Sequence, residues 1–149
     1  MIKKCKHFNI KELVSRQVYE KYGEKAWSFI DDDIKEFLDL IREHFNRPVT
    51  VNNWSFGGNL EQRCLRANLD QITKEKTKQN KLYLSAHVLG KGVDFNIKGF
   101  NTNQVHQEIL KNSEKFKMIK RMESEEATPT WIHVDTISHS NKGIYVFKP

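Results

Sequence analysis

The chain has 149 residues, 38% hydrophobic and 30% charged, enough apolar material for one ordinary domain with its own core; this excludes a disordered chain. Lysine and arginine outnumber the acids 25 to 19, a net charge of +6, which favours polyanions such as nucleic acid or anionic wall polymers. The charges are dispersed and no RNA-binding aromatic signature or zinc-finger spacing accompanies them, so the excess reads as a solvated basic surface without a specific nucleic-acid partner.

The N-terminus, Met1-Ile2-Lys3-Lys4-Cys5-Lys6-His7, is basic, but no apolar stretch of signal-peptide type follows. No apolar run reaches the length of a membrane span. The expectation is a cytoplasmic product with no membrane association. Cys5 and Cys64 are too few for a disulfide framework and read as free thiols. Cys5-Lys6-His7 has the residue types of a metal site but no second pair to complete it.

Along the chain, residues 8–30 read as amphipathic helix, with Ile10, Leu13, Val14 and Val18 at helical spacing and a stop at Tyr22-Gly23. Ala26–Ile30 is an apolar patch suited to anchoring helices on a sheet. Within Asp31-Asp32-Asp33, one residue reads as the N-cap of the next helix and the others as favourable charges in its first turn. That helix carries Ile34, Phe37, Leu38, Leu40 and Ile41, and it ends near Phe45–Pro48. A strand follows over 49–54, then a Gly57-Gly58 loop, then a polar and partly helical stretch over 60–79 that includes Arg63 and Arg66. Lys81–Ser85 reads as a short strand and Gly92–Lys98 as the next. A helix over 102–114 and three strands near 117–123, 130–136 and 143–147 complete a single α+β domain, 1–149, with helices packed on a mainly antiparallel sheet.

The chemistry concentrates in two stretches. The first is Ser85-Ala86-His87-Val88-Leu89-Gly90-Lys91-Gly92-Val93-Asp94, and the second is Trp131-Ile132-His133-Val134-Asp135. Strand alternation puts Trp131, His133 and Asp135 on one face and Ile132 and Val134 on the other; Asp94 separates from Val93 and Phe95 in the same way. Gly90 and Gly92 permit a tight loop between His87 and Asp94. Two imidazoles and a carboxylate suit a zinc ion with an open fourth position, the layout of a catalytic site.

The motif Ser-x-His-x-x-Gly-x-Gly-x-Asp followed by Trp-Ile-His-Val-Asp resembles the zinc D-Ala-D-Ala carboxypeptidase family. That family also contains D,D-dipeptidases and phage L-alanyl-D-glutamate endolysins, and it shares its fold with the hedgehog signalling domain. Phe8–Gly23, Lys25–Leu40 and Arg47–Trp54 resemble the leading segments of a small phage and prophage branch, so the likeness spans nearly the whole chain. The resemblance implies His87, Asp94 and His133 as zinc ligands, a peptidoglycan stem peptide as substrate, and a monomer that reaches the wall through a holin or from a virion.

It further implies an arginine for the substrate carboxylate or the oxyanion. Arg66 matches that place best and Arg63 second. Ser85, Trp131 and Asp135 stand at substrate-contacting or ligand-orienting positions. Many members carry a glutamate base three residues before the last histidine; here that position is Thr130. Other branches bring the base from further upstream, for which Glu123 is the first choice and Glu125 and Glu126 are alternatives. A chain without the base would be a zinc-binding structural or wall-binding module. His139 lies close enough in sequence to assist, or it is a turn histidine.

Overall fold

A computed structural model describes all 149 residues. Ser15 caps the first helix, α1 (Arg16–Tyr22), by accepting a hydrogen bond from Val18 N, and Gly23 with φ of 53° ends it. Residues 8–30 are therefore not one helix. They form a 3-10 turn at Ile10–Glu12, then α1, then a second 3-10 stretch at Gly23–Phe29. The capping box between Asn9 and Glu12, and then Ser15, each start a new element within what the apolar spacing reads as continuous.

Helix α2 (Asp32–Phe45) starts where the acidic triplet foretold. Asp31 is the cap, accepting from Asp33 N, and Asn46 closes the other end in a left-handed conformation. Its Ile34, Phe37, Leu38 and Ile41 are fully buried. Strand β1 is only Val49–Thr50, because Trp54–Phe56 turns as a 3-10 element. Helix α3 (Gln71–Lys78) is shorter than the polar stretch predicts. Arg63 and Arg66 lie before it, on non-helical backbone. Lys81–Ser85 forms no strand, and Leu82 and Leu84 face solvent at 99% and 69% exposure. These leucines cannot serve as the core face a half-buried strand needs.

Strands β2 (Gly92–Ile97), β3 (Arg121–Glu123), β4 (Ile132–Asp135) and β5 (Tyr145–Phe147), with helix α4 (Thr102–Lys111), complete the fold. All five fall within their expected spans and are shorter. The sheet order is β1-β2-β4-β3-β5, antiparallel throughout except for the parallel β3–β5 pair, so the sheet is mixed and the class is α+β. Val93, Phe95, Ile132 and Val134 point from the central strands into one cluster of 27 buried residues shared with α2 and α4. Phe37 of α2 meets Phe95 of β2 edge-on at 5.6 Å, which joins the two layers. No helix is long and apolar enough to cross a membrane.

Candidate metal centre and its groove

The pairing of β2 with β4 sets Asp94 directly opposite His133, on the face away from the core. His87 reaches the same point from a turn that precedes β2. The turn is held from behind: Gly90 O accepts from Asp31 N at 2.8 Å, and Asp31 also takes Lys91 Nζ at 3.3 Å and Thr136 Oγ1 at 3.1 Å. Gly90 has φ of 69°, and a Cβ there would lie 1.9 Å from Phe29 O. Only glycine fits that approach.

His87, Asp94 and His133 are all buried, and one ligand atom from each lies within 4.8 Å of the others. His133 Nδ1 is 2.7 Å from Asp94 Oδ1, and His87 Nε2 is 3.3 Å from the same oxygen. Those separations approach the roughly 3.3 Å edge of a tetrahedron whose ligands stand about 2.0–2.1 Å from an ion. The remaining ring nitrogens are occupied. His87 Nδ1 donates to Cys64 O at 2.8 Å, and His133 Nε2 lies 3.1 Å from Asp135 Oδ2. Each imidazole thus keeps one nitrogen for the protein and aims the other at the shared point, as metal-binding histidines do. The donor set fits a metal ion.

Asp135 has no solvent exposure and accepts a two-point hydrogen bond from Arg121, 2.9 Å from Nε and 2.9 Å from Nη2, as well as one from Ile137 N at 3.0 Å. Arg121 in turn lies over the Phe147 ring at 4.3 Å. Burial opposes the Asp94 carboxylate, but hydrogen bonds with His133 and His87 overcome it and hold the group below the usual carboxylate range. Burial likewise works against a charged His133. Its contacts with Asp135 and Asp94 outweigh that and raise the imidazole to about 9. In the metal-free protein this histidine is an imidazolium between two carboxylates.

A cavity of about 530 Å³ opens over the centre, lined by Glu123, Trp131, Ser85, Tyr83 and Phe147 among others. Of the three glutamates considered from sequence, only Glu123 faces this space. Glu125 accepts from Asn103 Nδ2 at 3.0 Å, and the exposed Glu126 pairs with Lys148. Arg66 also lines the cavity. It donates to Gln62 O at 2.8 Å and Tyr83 Oη at 2.7 Å, and Nη2 lies 3.6 Å from Asp94 Oδ2. Arg63 does not enter this cavity, and its Nη2 is taken by Asn96 Oδ1 at 2.8 Å. Ser85 Oγ accepts from Val88 N at 3.3 Å, so it also caps the His87 turn.

His139 belongs to a different cavity, of about 430 Å³, beside Ser113, Lys117 and Lys120. Its Nδ1 accepts from Asn141 N at 3.0 Å within its own turn, which removes it from the metal centre. Cys5 and Cys64 are free, and His7 pairs with Glu43 at 3.0 Å.

Sequence reasoning passed over Arg121, Tyr83 and Gln62. Arg121 sits directly across from Asp135 in the β3–β4 register. A charged residue at one rung of a strand and its counter-charge at the matching rung is the one available signal, and it needs the strand pairing to be known first. No protein-family model, curated protein or solved structure matches this chain.

Proposed function

We propose that this protein is a zinc-dependent peptidase that hydrolyses a peptide bond in bacterial peptidoglycan stem peptides, of the phage or prophage kind its motifs resemble. The observation that carries the reading is the convergence of buried His87, Asp94 and His133 beneath an open cavity with a free carboxylate, Glu123, on its wall. Three protein ligands of mixed nitrogen and oxygen type, with one side open, favour catalytic zinc over a closed structural site. Bound zinc supplies Lewis-acid polarisation of the scissile carbonyl and lowers the pKa of water toward neutrality.

The chain's own groups supply the rest. Glu123 takes the proton of the attacking water as its oxygen adds to the carbonyl carbon, and delivers that proton to the leaving nitrogen as the C–N bond breaks. Arg66, fixed by Gln62 and Tyr83, directs its remaining N–H groups toward the oxygen that gains charge. Asp135 and the Cys64 carbonyl hold the two imidazoles in the required tautomers.

Zinc-reconstituted protein is expected to bind about one metal ion per chain and to release new amino groups from purified sacculi. Glu123→Gln should keep the zinc and lose about 10²–10⁴ in kcat. If the wild-type protein binds zinc and sediments with sacculi but releases nothing, it is a wall-binding module and the peptidase reading is wrong.

A further inference from the structure

We propose that the cavity containing His139, beside the metal groove, binds a phosphate group of an anionic wall polymer and so holds the protein on the wall. The wall as the source of that phosphate rests on the reading above; the phosphate site itself does not. The cavity measures about 430 Å³, and its lining includes Lys117, Lys120 and the hydroxyls of Ser113 and Ser138. The Lys117 carbonyl accepts from Lys120 Nζ at 3.0 Å, whereas the Lys117 ammonium has no protein partner. That bond uses one of the three N–H groups of Lys120. His139 Nδ1 accepts from Asn141 N, so the neutral ring carries its proton on Nε2, where no protein group takes it. Glu114 is the only acid of the lining, and it is exposed and joins no ion pair. Two ammonium groups against one carboxylate leave the cavity positive.

The framework around these donors is fixed. Lys120 N donates to Asp135 O and Lys120 O accepts from Tyr145 N, both at 2.9 Å. Buried Phe116, Met118 and Ile119 anchor the segment that carries Lys117. Two lysines, a ring N–H and two hydroxyls suit the several oxygens of a tetrahedral phosphate. A planar carboxylate is better matched by a guanidinium fork, and no arginine lines the cavity. Pockets of about 300–1,000 Å³ hold ligands of drug size, so the units flanking a phosphodiester have room as well. No phenylalanine, tyrosine or tryptophan lines the space, which denies nucleic-acid bases a stacking platform. The cavity also adjoins the groove: Ile137 and Arg121 line the groove, while their chain neighbours Ser138 and Lys120 line the cavity. A polymer held here keeps wall material beside the metal centre.

The experiment titrates full-length protein calorimetrically with synthetic poly(glycerol phosphate), with inorganic phosphate, and with a single-stranded oligonucleotide of equal phosphate count. None of these contains a peptide bond, so the result is independent of whether the protein is a peptidase. The polymer should bind about tenfold tighter than inorganic phosphate and tighter than the oligonucleotide. Lys117→Ala and Lys120→Ala should each weaken it about tenfold, and Glu114→Gln should strengthen it about threefold. Lys74→Ala, on α3 and outside this cavity, should leave affinity within about twofold. Lys117 is exposed, so its variant decides the matter even where Lys120→Ala lowers the melting temperature. A loss from Lys74→Ala equal to that from Lys117→Ala would reduce the effect to net charge and overturn the proposal. Tighter binding of the oligonucleotide, or a polymer no better bound than inorganic phosphate, would overturn it too.

Discussion

Replacing Arg121 with methionine removes two hydrogen bonds, both 2.9 Å, from a carboxylate with no access to solvent. Asp135 would keep only His133 Nε2 at 3.1 Å and Ile137 N at 3.0 Å. Removing one partner of a buried ion pair costs about 3–5 kcal/mol. Arg121 itself is 26% exposed, so water can partly replace it, which places this case at about 3 kcal/mol, the low end of that range. Methionine retains apolar packing on Phe147, over which the guanidinium now lies, so lost volume adds little.

For a chain of this size, each kcal/mol lowers Tm by about 2–4 °C, so metal-free Arg121→Met should melt about 6–12 °C lower by calorimetry. Through Asp135 the change also loosens His133, and losses of this kind weaken metal binding by about 10–100-fold. A competition titration against a fluorescent zinc chelator reads that effect directly. Arg121→Lys keeps the charge without the planar fork and should fall between the two. If Arg121→Met binds zinc within about twofold of wild type and melts within about 2 °C, the guanidinium does not anchor the centre. If stability falls while affinity holds, Asp135 does not orient His133.

Other tests follow from the same geometry. The folded His133 imidazole stands at about 9 against an ordinary 6.5, so the stabilisation from its charged form is complete below pH 6.5 and is lost as pH rises to 9. The metal-free protein should therefore lose Tm over that window in a pH series, and a flat or rising Tm there would refute the imidazolium. Gly90→Ala sets a Cβ 1.9 Å from Phe29 O at φ of 69° and should destabilise by about 3 kcal/mol, with weaker zinc uptake. A thermal shift below about 2 °C would show that the turn relaxes freely. Burial pushes the Cys64 thiol up to about 12, so iodoacetamide at pH 8 should leave it unmodified in the native protein. Alkylation there, located by peptide mapping, would mean that the segment opens.

Helix α2 and the two ligand strands were legible in the chain because their signals are local. Asp31 caps, Ile34, Phe37, Leu38 and Ile41 recur at helical spacing, and ligand-type residues alternate with Val93, Phe95, Ile132 and Val134. Asp94 and His133 were legible as candidates through the same alternation and His87 through the motif the chain resembles, whereas their convergence depends on the β2–β4 pairing. The surroundings of Arg63 and Arg66 were not. Their segment is positioned by backbone bonds from Leu65 N to Leu13 O, from Arg66 N to His87 O and from Asp94 N to Arg63 O, all distant in sequence. Such bonds carry no residue-type signature, so the polar composition of 60–79 reads as partly helical. The parallel β3–β5 edge and the Arg121–Asp135 rung were hidden likewise, since pairing between strands far apart leaves no periodic trace.

The head-on placement of Asp94 and His133 would make a bound metal ion a sensor of strand alignment. Sliding β4 by a single position along β2 would turn its imidazole toward the hydrophobic interior and present an aliphatic side chain in its stead. Misaligned chains would thus be unable to coordinate, and cation present during refolding would drain the population toward the correctly threaded form. The rate at which refolding protein captures an added metal ion would then clock when these two distant stretches first lie side by side in proper step.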